Sequence, residues 1–248
     1  MQNPFVHRVG GVVSADIAVP DHERELGFYS SVLTTGESPL WKDDLTNNLG
    51  MPVIGLGQRI PEYEALPLQW MPHFQVADVA ASVALAMEHG GKTLMQDEQN
   101  QWAVLEDQYG AAFGIIPVVL DPSPQQDEEF GRITWLSLHV ADVASSSAFY
   151  KSVIGWNPIR KASGSNSIGT AIELWMDQDT TAGEIGQASE EQNEIPSVWL
   201  IHLNVADLNA SLHRVRDAGG AIMEQCEATG SAVIRDPVGV FFALRGTN

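Results

Sequence analysis

Cysteine is almost absent. Cys226 is the single one among 248 residues, so no disulfide can form within the chain. No apolar run approaches the roughly 20 residues of a membrane-spanning helix. The opening MQNPFVHRVGG lacks the apolar segment of a signal peptide. These absences lead us to expect a soluble, cytoplasmic protein without a membrane partner. Basic residues are scarce as well, 13 Lys and Arg against 32 Asp and Glu, for a net charge of −19. Residues 1–124 carry 5 and 16 of these, a net −11, and residues 125–248 carry 8 and 16, a net −8. The acid is therefore spread over the chain rather than held in a tail. Such a field repels phosphate backbones and argues against a nucleic-acid partner.

Several chemical templates are missing too. GLGQRI at 55–60 and GSNSIG at 164–169 lack the full phosphate-loop pattern. Ser145, Ser146 and Ser147 fall in a helical stretch with no nucleophile elbow around them. Cys226 has neither a CxxC partner nor a nearby histidine.

What is present is repetition. WMPHFQVADV at 70–79 returns as WLIHLNVADL at 199–208, offset by 129. Asp21, Asp78, Asp142 and Asp207 each close a V-x-D phrase and precede a helix-like stretch. Phe28-Tyr29 recurs as Phe149-Tyr150, and Gly90-Gly91 as Gly219-Gly220. Asp107 and Gly110 recur as Asp236 and Gly239. The chain is thus four units in the order 1-2-1′-2′, and a repeat near sixty residues sets the architecture. Each unit reads strand, helix, then further strands. The four V-x-D aspartates suit helix N-caps, Gly91 and Gly220 suit helix C-terminal stops, and DQYG and DPVG suit type I turns. In unit three, Val143, Ser147, Tyr150 and Ile154 fall on one helical face, a stripe to be buried. Residues 120–131, rich in Pro, Gln and acid, read as a linker. The expected division is 1–119, the linker 120–131, and 132–248.

Alternation in the leading strands separates two faces. Val13, Ala15, Ile17 and Val19, with their counterparts in the other units, form an apolar face to lie under the helices. The opposite face carries Ser14, Asp16, Met71, His73, Gln75, Trp135, Ser137, His139, Leu200, His202 and Asn204. This mixture suits a ligand pocket for a small, partly apolar organic molecule. Asp16, His73, Gln75, Ser137, His139, His202 and Asn204 are its polar candidates, and Met71, Trp135 and Leu200 its apolar walls. Were Asp16 to meet His73, the pair could serve as a base and its orienter, with His202 the matching histidine. As structural residues, the histidines would instead be half-buried and hydrogen-bonded to neighbouring strands.

Strand, V-x-D, a helix with SAFYKSVIGW at 147–156, then three strands, all repeated, resembles the vicinal oxygen chelate superfamily. That superfamily includes glyoxalase I, bleomycin-resistance proteins and extradiol dioxygenases. The resemblance spans about Gly10 to Arg245 and looks most like a two-domain branch related to lactoylglutathione lyase. It implies an α+β fold, four βαβββ units forming two cup-shaped curved mixed sheets with helices on the outer face. It also implies where metal-using members place their ligands. Here those positions hold Ser14, Met71, Trp135 and Leu200 in the leading strands, and Gly114 and Ala243 in the closing ones. None offers imidazole or carboxylate, the donors such metals need. No cofactor is therefore expected. A displaced divalent-metal site would have to draw on Asp16 and His73, or on His139 and His202 with Glu173 or Glu184. The alternatives are a metal-dependent lyase or ring-cleaving dioxygenase, and a non-catalytic assembly or regulatory protein with filled cups.

Overall fold

The structure is a computed structural model that describes residues 6–34, 54–119, 131–160, 171–188 and 194–246. The linker 120–131 lies outside these residues, apart from Gly131. In the first half the elements are β1 (Val12–Val19), α1 (His22–Leu33), β2 (Ile54–Gln58), β3 (Met71–Val76), α2 (Val79–Glu88), β4 (Lys92–Gln96), β5 (Ala103–Glu106) and β6 (Ala112–Pro117). The second half holds β7 (Ile133–Val140), α3 (Val143–Val153), β8 (Asn157–Arg160), β9 (Ala171–Trp175), β10 (Thr181–Gln187), β11 (Trp199–Val205), α4 (Leu208–Asp217), β12 (Ala221–Cys226), β13 (Ser231–Arg235) and β14 (Phe241–Gly246).

Each helix begins as its sequence dictates. The side chains of Asp21, Asp78, Asp142 and Asp207 accept from the backbone N–H groups of Arg24, Ala81, Ser145 and Ala210. Each satisfies a donor that the first helical turn leaves without an internal partner. The C-terminal stops shift by one residue from expectation. The left-handed residues are Gly90 (φ +86°) and Gly219 (φ +87°). Gly91 and Gly220 follow them and donate back to Ala86 and Val215, as in a Schellman closure. They are small for a different reason: a Cβ at either would press on Phe149 or Phe28 of the opposite half at 2.8–3.0 Å.

Two open, curved, mixed sheets result, ordered β2-β1-β3-β6-β5-β4 and β12-β13-β14-β11-β7-β10-β9-β8. Among the described residues, strands pair only within a half. Units one and two share the first sheet, and units three and four the second. The apolar faces fall where alternation puts them, with one correction at the start of β1. A register shift between Val12 and Ala15 places Val12 rather than Val13 in the main core. A bulge adds a residue and reverses facing locally.

The core does not respect the division between halves. α1 lies beside α4, and α2 beside α3. Ser211 Oγ on α4 donates to Val32 O at 2.9 Å, and Ser82 Oγ on α2 donates to Val153 O at 2.8 Å. Each serine satisfies a carbonyl in the last turn of a helix from the other half. Tyr29 hydroxyl donates to Asp236 Oδ2 and Tyr150 hydroxyl to Asp107 Oδ2, both at 3.0 Å. Trp70 Nε1 donates to the Tyr29 oxygen and Trp199 Nε1 to the Tyr150 oxygen, at 3.1 and 2.9 Å. Each half thus supplies a Trp–Tyr pair, and the other half supplies the aspartate it docks on. Asp107 and Asp236 still hold their turns, accepting through Oδ1 from Tyr109 and Ala111 or from Val238 and Val240. The turn-forming carboxylate is therefore also the lock. Aromatic rings interleave across the same boundary: Phe28 with Phe242, Phe113 with Phe149, and Phe74 with Trp199. The helices thus meet in pairs across the boundary between the halves, α1 with α4 and α2 with α3.

Candidate functional site on the concave faces

On the first concave face, β1 and β3 are antiparallel, with Asp16 opposite Met71. This register brings Ser14, Asp16 and His73 together. Ser14 Oγ lies 3.1 Å from His73 Nδ1, and Asp16 Oδ2 lies 3.4 Å from the same nitrogen. Ser14 and Asp16 are fully buried, while the His73 side chain keeps 13% of its exposure. An Nδ1–H tautomer would aim its proton at these oxygens and leave Nε2 as an acceptor. Burial pushes the His73 pKa down to about 4, so the ring is neutral at pH 7. Gly114 faces His73 across β6. A Cβ there would overlap the imidazole, so only glycine leaves the ring room to lie flat on the sheet.

Beside His73 lies a small apolar cluster separate from the main core. Leu66, Met71, Val104 and Ala112 are its buried members, and Tyr63, Leu94, Met95 and Trp102 pack against it. Val104 is paired with Gly114, next to His73 in the register. The result is a neutral imidazole acceptor set at the edge of an apolar wall. Gln75 behaves differently from the other polar candidates. Its Nε2 donates to Val6 O and Gly11 O, and its Oε1 accepts from Val119 N–H. It ties the chain on either side of the first half to β3 and is fully buried.

The second concave face has the same plan with different chemistry. Ser137 Oγ lies 2.8 Å from His202, but from Nε2 rather than Nδ1. The ring is turned over. Its Nδ1 is buried and has no hydrogen-bond partner among the described residues. Burial first, then Arg245 and His139, pushes the His202 pKa down to about 3. His139 is also lowered by burial, opposed by Glu184 and Glu224. Leu200 stands opposite Ser137 and is buried, and half-buried Trp135 stands opposite His202. Asn204 is paired in register with Arg245 of β14. Arg245 escaped the sequence reading, although alternation in FFALRG puts it on the face of Phe241 and Ala243.

The metal question can be put to these residues. Ser14 is bound to His73, Gly114 lies under that ring, and Met71, Leu200 and Ala243 are buried apolar groups. Half-buried Trp135 completes the six positions. This donor set does not fit the superfamily's metal. Among the described residues no group of three or more His, Cys, Asp or Glu could hold an ion. Nor is any helix among them long and apolar enough to cross a membrane.

Two open, curved, mixed sheets, each built from a pair of strand–helix–strand units, are consistent with the vicinal oxygen chelate fold. Residues 132–244 match the family model described as the Glyoxalase/Bleomycin resistance protein/Dioxygenase superfamily, and residues 13–116 match that of the Glyoxalase-like domain. The chain belongs to this glyoxalase and dioxygenase superfamily. Among curated proteins it is similar to the "Putative glyoxylase CFP32" of Mycobacterium tuberculosis, 24% identical over 189 residues, which cover 73% of this chain and 70% of that protein. It is also similar to the anthracycline biosynthesis protein DnrV of Streptomyces peucetius, 28% identical over 127 residues and 46% of each chain. Among solved structures, the 2,3-dioxygenase LapB of Pseudomonas sp. KL28 superposes with a TM-score of 0.57 at 12% identity, covering 96% of this chain and 93% of that one. The Mn(II)-bound glyoxalase of Novosphingobium aromaticivorans gives 0.54 at 13%, covering 96% and 82%. At such identities these structures speak for the fold, and a fold shared by several chemistries does not choose among them.

Proposed function

We propose that the protein binds a small, partly apolar organic molecule on the concave face of the first sheet, with His73 as its polar anchor and without the usual superfamily metal. The observation that carries this is the placement of His73. Ser14 Oγ bonds its Nδ1, Asp16 Oδ2 stands 3.4 Å from the same nitrogen, and the ring lies on Gly114 beside an apolar wall that is not part of the main core. Nε2 accepts a hydrogen bond from a ligand hydroxyl or N–H, and the apolar part of the ligand lies against Met71 and Val104. Should the ligand carry a sufficiently acidic proton, Nε2 takes it, and Asp16 stabilises the imidazolium that forms. This is the base-and-orienter arrangement of general acid–base catalysis, and it suits proton transfer in an isomerase- or lyase-like reaction. His202 does not offer the same service, because its Ser137 partner holds the other nitrogen.

The test is a thermal-shift screen of small aromatic and aliphatic alcohols, phenols and ketones, run with chelator, without it and with added Mn(II). The expected result is a group of ligands that raise the melting temperature with chelator present and lose the effect in His73→Phe. Ligand shifts that vanish with chelator and return with Mn(II) would overturn the metal-free reading. Shifts untouched by His73→Phe would return the histidine to a structural role. No shift from any compound would favour cups filled by their own side chains.

A further inference from the structure

One row of the sheet carries different chemistry in the two halves. Gly10 and Gly131 both have positive φ, +84° and +75°. Gly10 donates its N–H to Gln75 O, and Gly131 donates to Asn204 O. The residue after each glycine, Gly11 or Arg132, accepts in return from the Gln75 or Asn204 N–H. This is one glycine bulge made twice. On the next strand Gln75 is opposite Ile116, and Asn204 is opposite Arg245. The rows are therefore Gly11–Gln75–Ile116 and Arg132–Asn204–Arg245. The first is uncharged and covered. The Val6 carbonyl takes the space a Cβ on Gly11 would need, and Gln75 spends its amide there. The second has two arginines where the first has a glycine and a buried isoleucine. Ile133, Leu203 and Leu244 belong to the main core, so alternation puts Arg132, Asn204 and Arg245 on the concave face. Both arginines are half-buried, and neither side chain makes a hydrogen bond or ion pair with any described residue. Their backbones stand two strands apart, about 10 Å, so both long side chains reach a group lying over Asn204. Two like charges held close, each partly out of water, are unfavourable without a counter-ion. Glu184, whose charge acts on Arg245, does not fill that place: it lies three strands away on β10 and has an interaction of its own. Trp135 and His202 form the next row on the same face, and His202 is neutral.

We propose that this row anchors a second binding site, one that takes a small organic carboxylate. The carboxylate lies over Asn204 between the guanidinium forks of Arg132 and Arg245, and an apolar body extends onto Trp135 one row along the face. An arginine fork donates two parallel N–H bonds to a carboxylate, and a carboxylate has lone pairs enough for two forks. A single negative charge suits the row better than a phosphate dianion, because the chain around it carries a net −19. An amine would be repelled, and an uncharged ligand would leave both guanidiniums without a counter-ion. The site is apart from His73 and does not depend on it.

The test uses the full chain with benzoate, phenylacetate and phenylpropionate, each beside its amide, and with phenyl phosphate and inorganic sulfate, in calorimetry and thermal shift. At least one carboxylate is expected to bind about tenfold more tightly than its amide, and more tightly than sulfate or phenyl phosphate. Arg132→Gln and Arg245→Gln are each expected to weaken that carboxylate by about tenfold. Without ligand, each variant is expected to melt no lower than the parent, since the replaced charge has no partner to lose. Carboxylates that bind no better than their amides, or that bind both variants as well as the parent, would overturn the proposal. So would a preference for phenyl phosphate or sulfate. A fall in the unligated melting temperature of either variant would also overturn it, by making that arginine structural. These outcomes are separable from failure of the first site, which concerns uncharged ligands and His73.

Discussion

Replacing Glu25 by Gln should stabilise the protein, and more so as the pH rises. Glu25 sits on α1 with no exposed surface. It faces Asp236 of the other half. Burial raises its pKa from 4.5 to about 8, with further upward contributions from Asp236 and Asp21 against a lowering by Arg24. Tyr29, which also borders the group, is itself held far above its ordinary value by burial and by Asp236. Asp236 accepts from Tyr29, Val238 and Val240, so it keeps the charge and Glu25 keeps the proton. The counterpart of Glu25 in the other half is Ser146, which is buried but carries no charge.

In the unfolded chain Glu25 ionises near 4.5, while in the folded protein it stays protonated to about 8. Its contribution to stability is therefore complete below pH 4.5 and declines as the pH rises to 8. Each pH unit in that window is worth at most about 1.4 kcal/mol. Three units from pH 5 to 8 would give about 4 kcal/mol, and relaxation around the pair reduces this to about 2. Glutamine has the same shape and cannot ionise. Urea unfolding at pH 5 and pH 8 should show Glu25→Gln close to the parent at pH 5 and about 2 kcal/mol more stable at pH 8. An equal difference at both pH values, or a loss at pH 8, would refute the assignment of the buried proton.

Further expectations follow from the same packing. Tyr150→Phe leaves Asp107 Oδ2 and Trp199 Nε1 without their buried partner, and should cost about 2–3 kcal/mol in urea unfolding. Cleavage within 120–131 should give two chains that still co-elute at the size of the intact protein, because the aromatic core spans both halves; separation without denaturant would argue against the shared core. Gly114→Ala should displace the His73 ring, costing about 1–3 kcal/mol and removing ligand shifts assigned to the first concave face. On the acid side, His73 and His202 are lowered from 6.5 to about 4 and about 3. Their contribution is present above pH 6.5 and is lost as the pH falls through that window, so His202→Phe should flatten the acid limb of the stability curve.

Local rules carried the sequence reading a long way. An aspartate before an apolar-periodic stretch is a cap whatever surrounds it, so the four caps were legible from Asp21 onward. Alternation placed Asp16, His73, Ser137 and His202 on the concave faces, because the side-chain period of a strand is fixed. The bulge near Val12 was not legible, since one extra residue leaves no mark on composition. For Gln75 alternation gave the face but not the bonds, because a polar residue there has two uses. Its bonds to Val6 and Val119 join segments dozens of residues away, which no local pattern reports. The locks between halves were present as recurrences of Trp70, Tyr29 and Asp107. Their pairing across 43 and 207 residues is a property of packed helices that no local pattern reports. The unlike orientation of His73 and His202 was hidden for the same reason: identical phrases surround both, and only the neighbouring strand decides which nitrogen its serine holds.

The central claim is that His73, held through Nδ1, presents Nε2 to a ligand on the first concave face. Nitrogen-15 NMR of the histidine rings tests it most directly, with chelator present and with a ligand taken from the thermal-shift screen. The account predicts that the His73 Nε2 resonance moves on ligand addition while its Nδ1 stays protonated and His202 remains unchanged. A His73 ring that ignores a bound ligand, or one that carries its proton on Nε2, would contradict it.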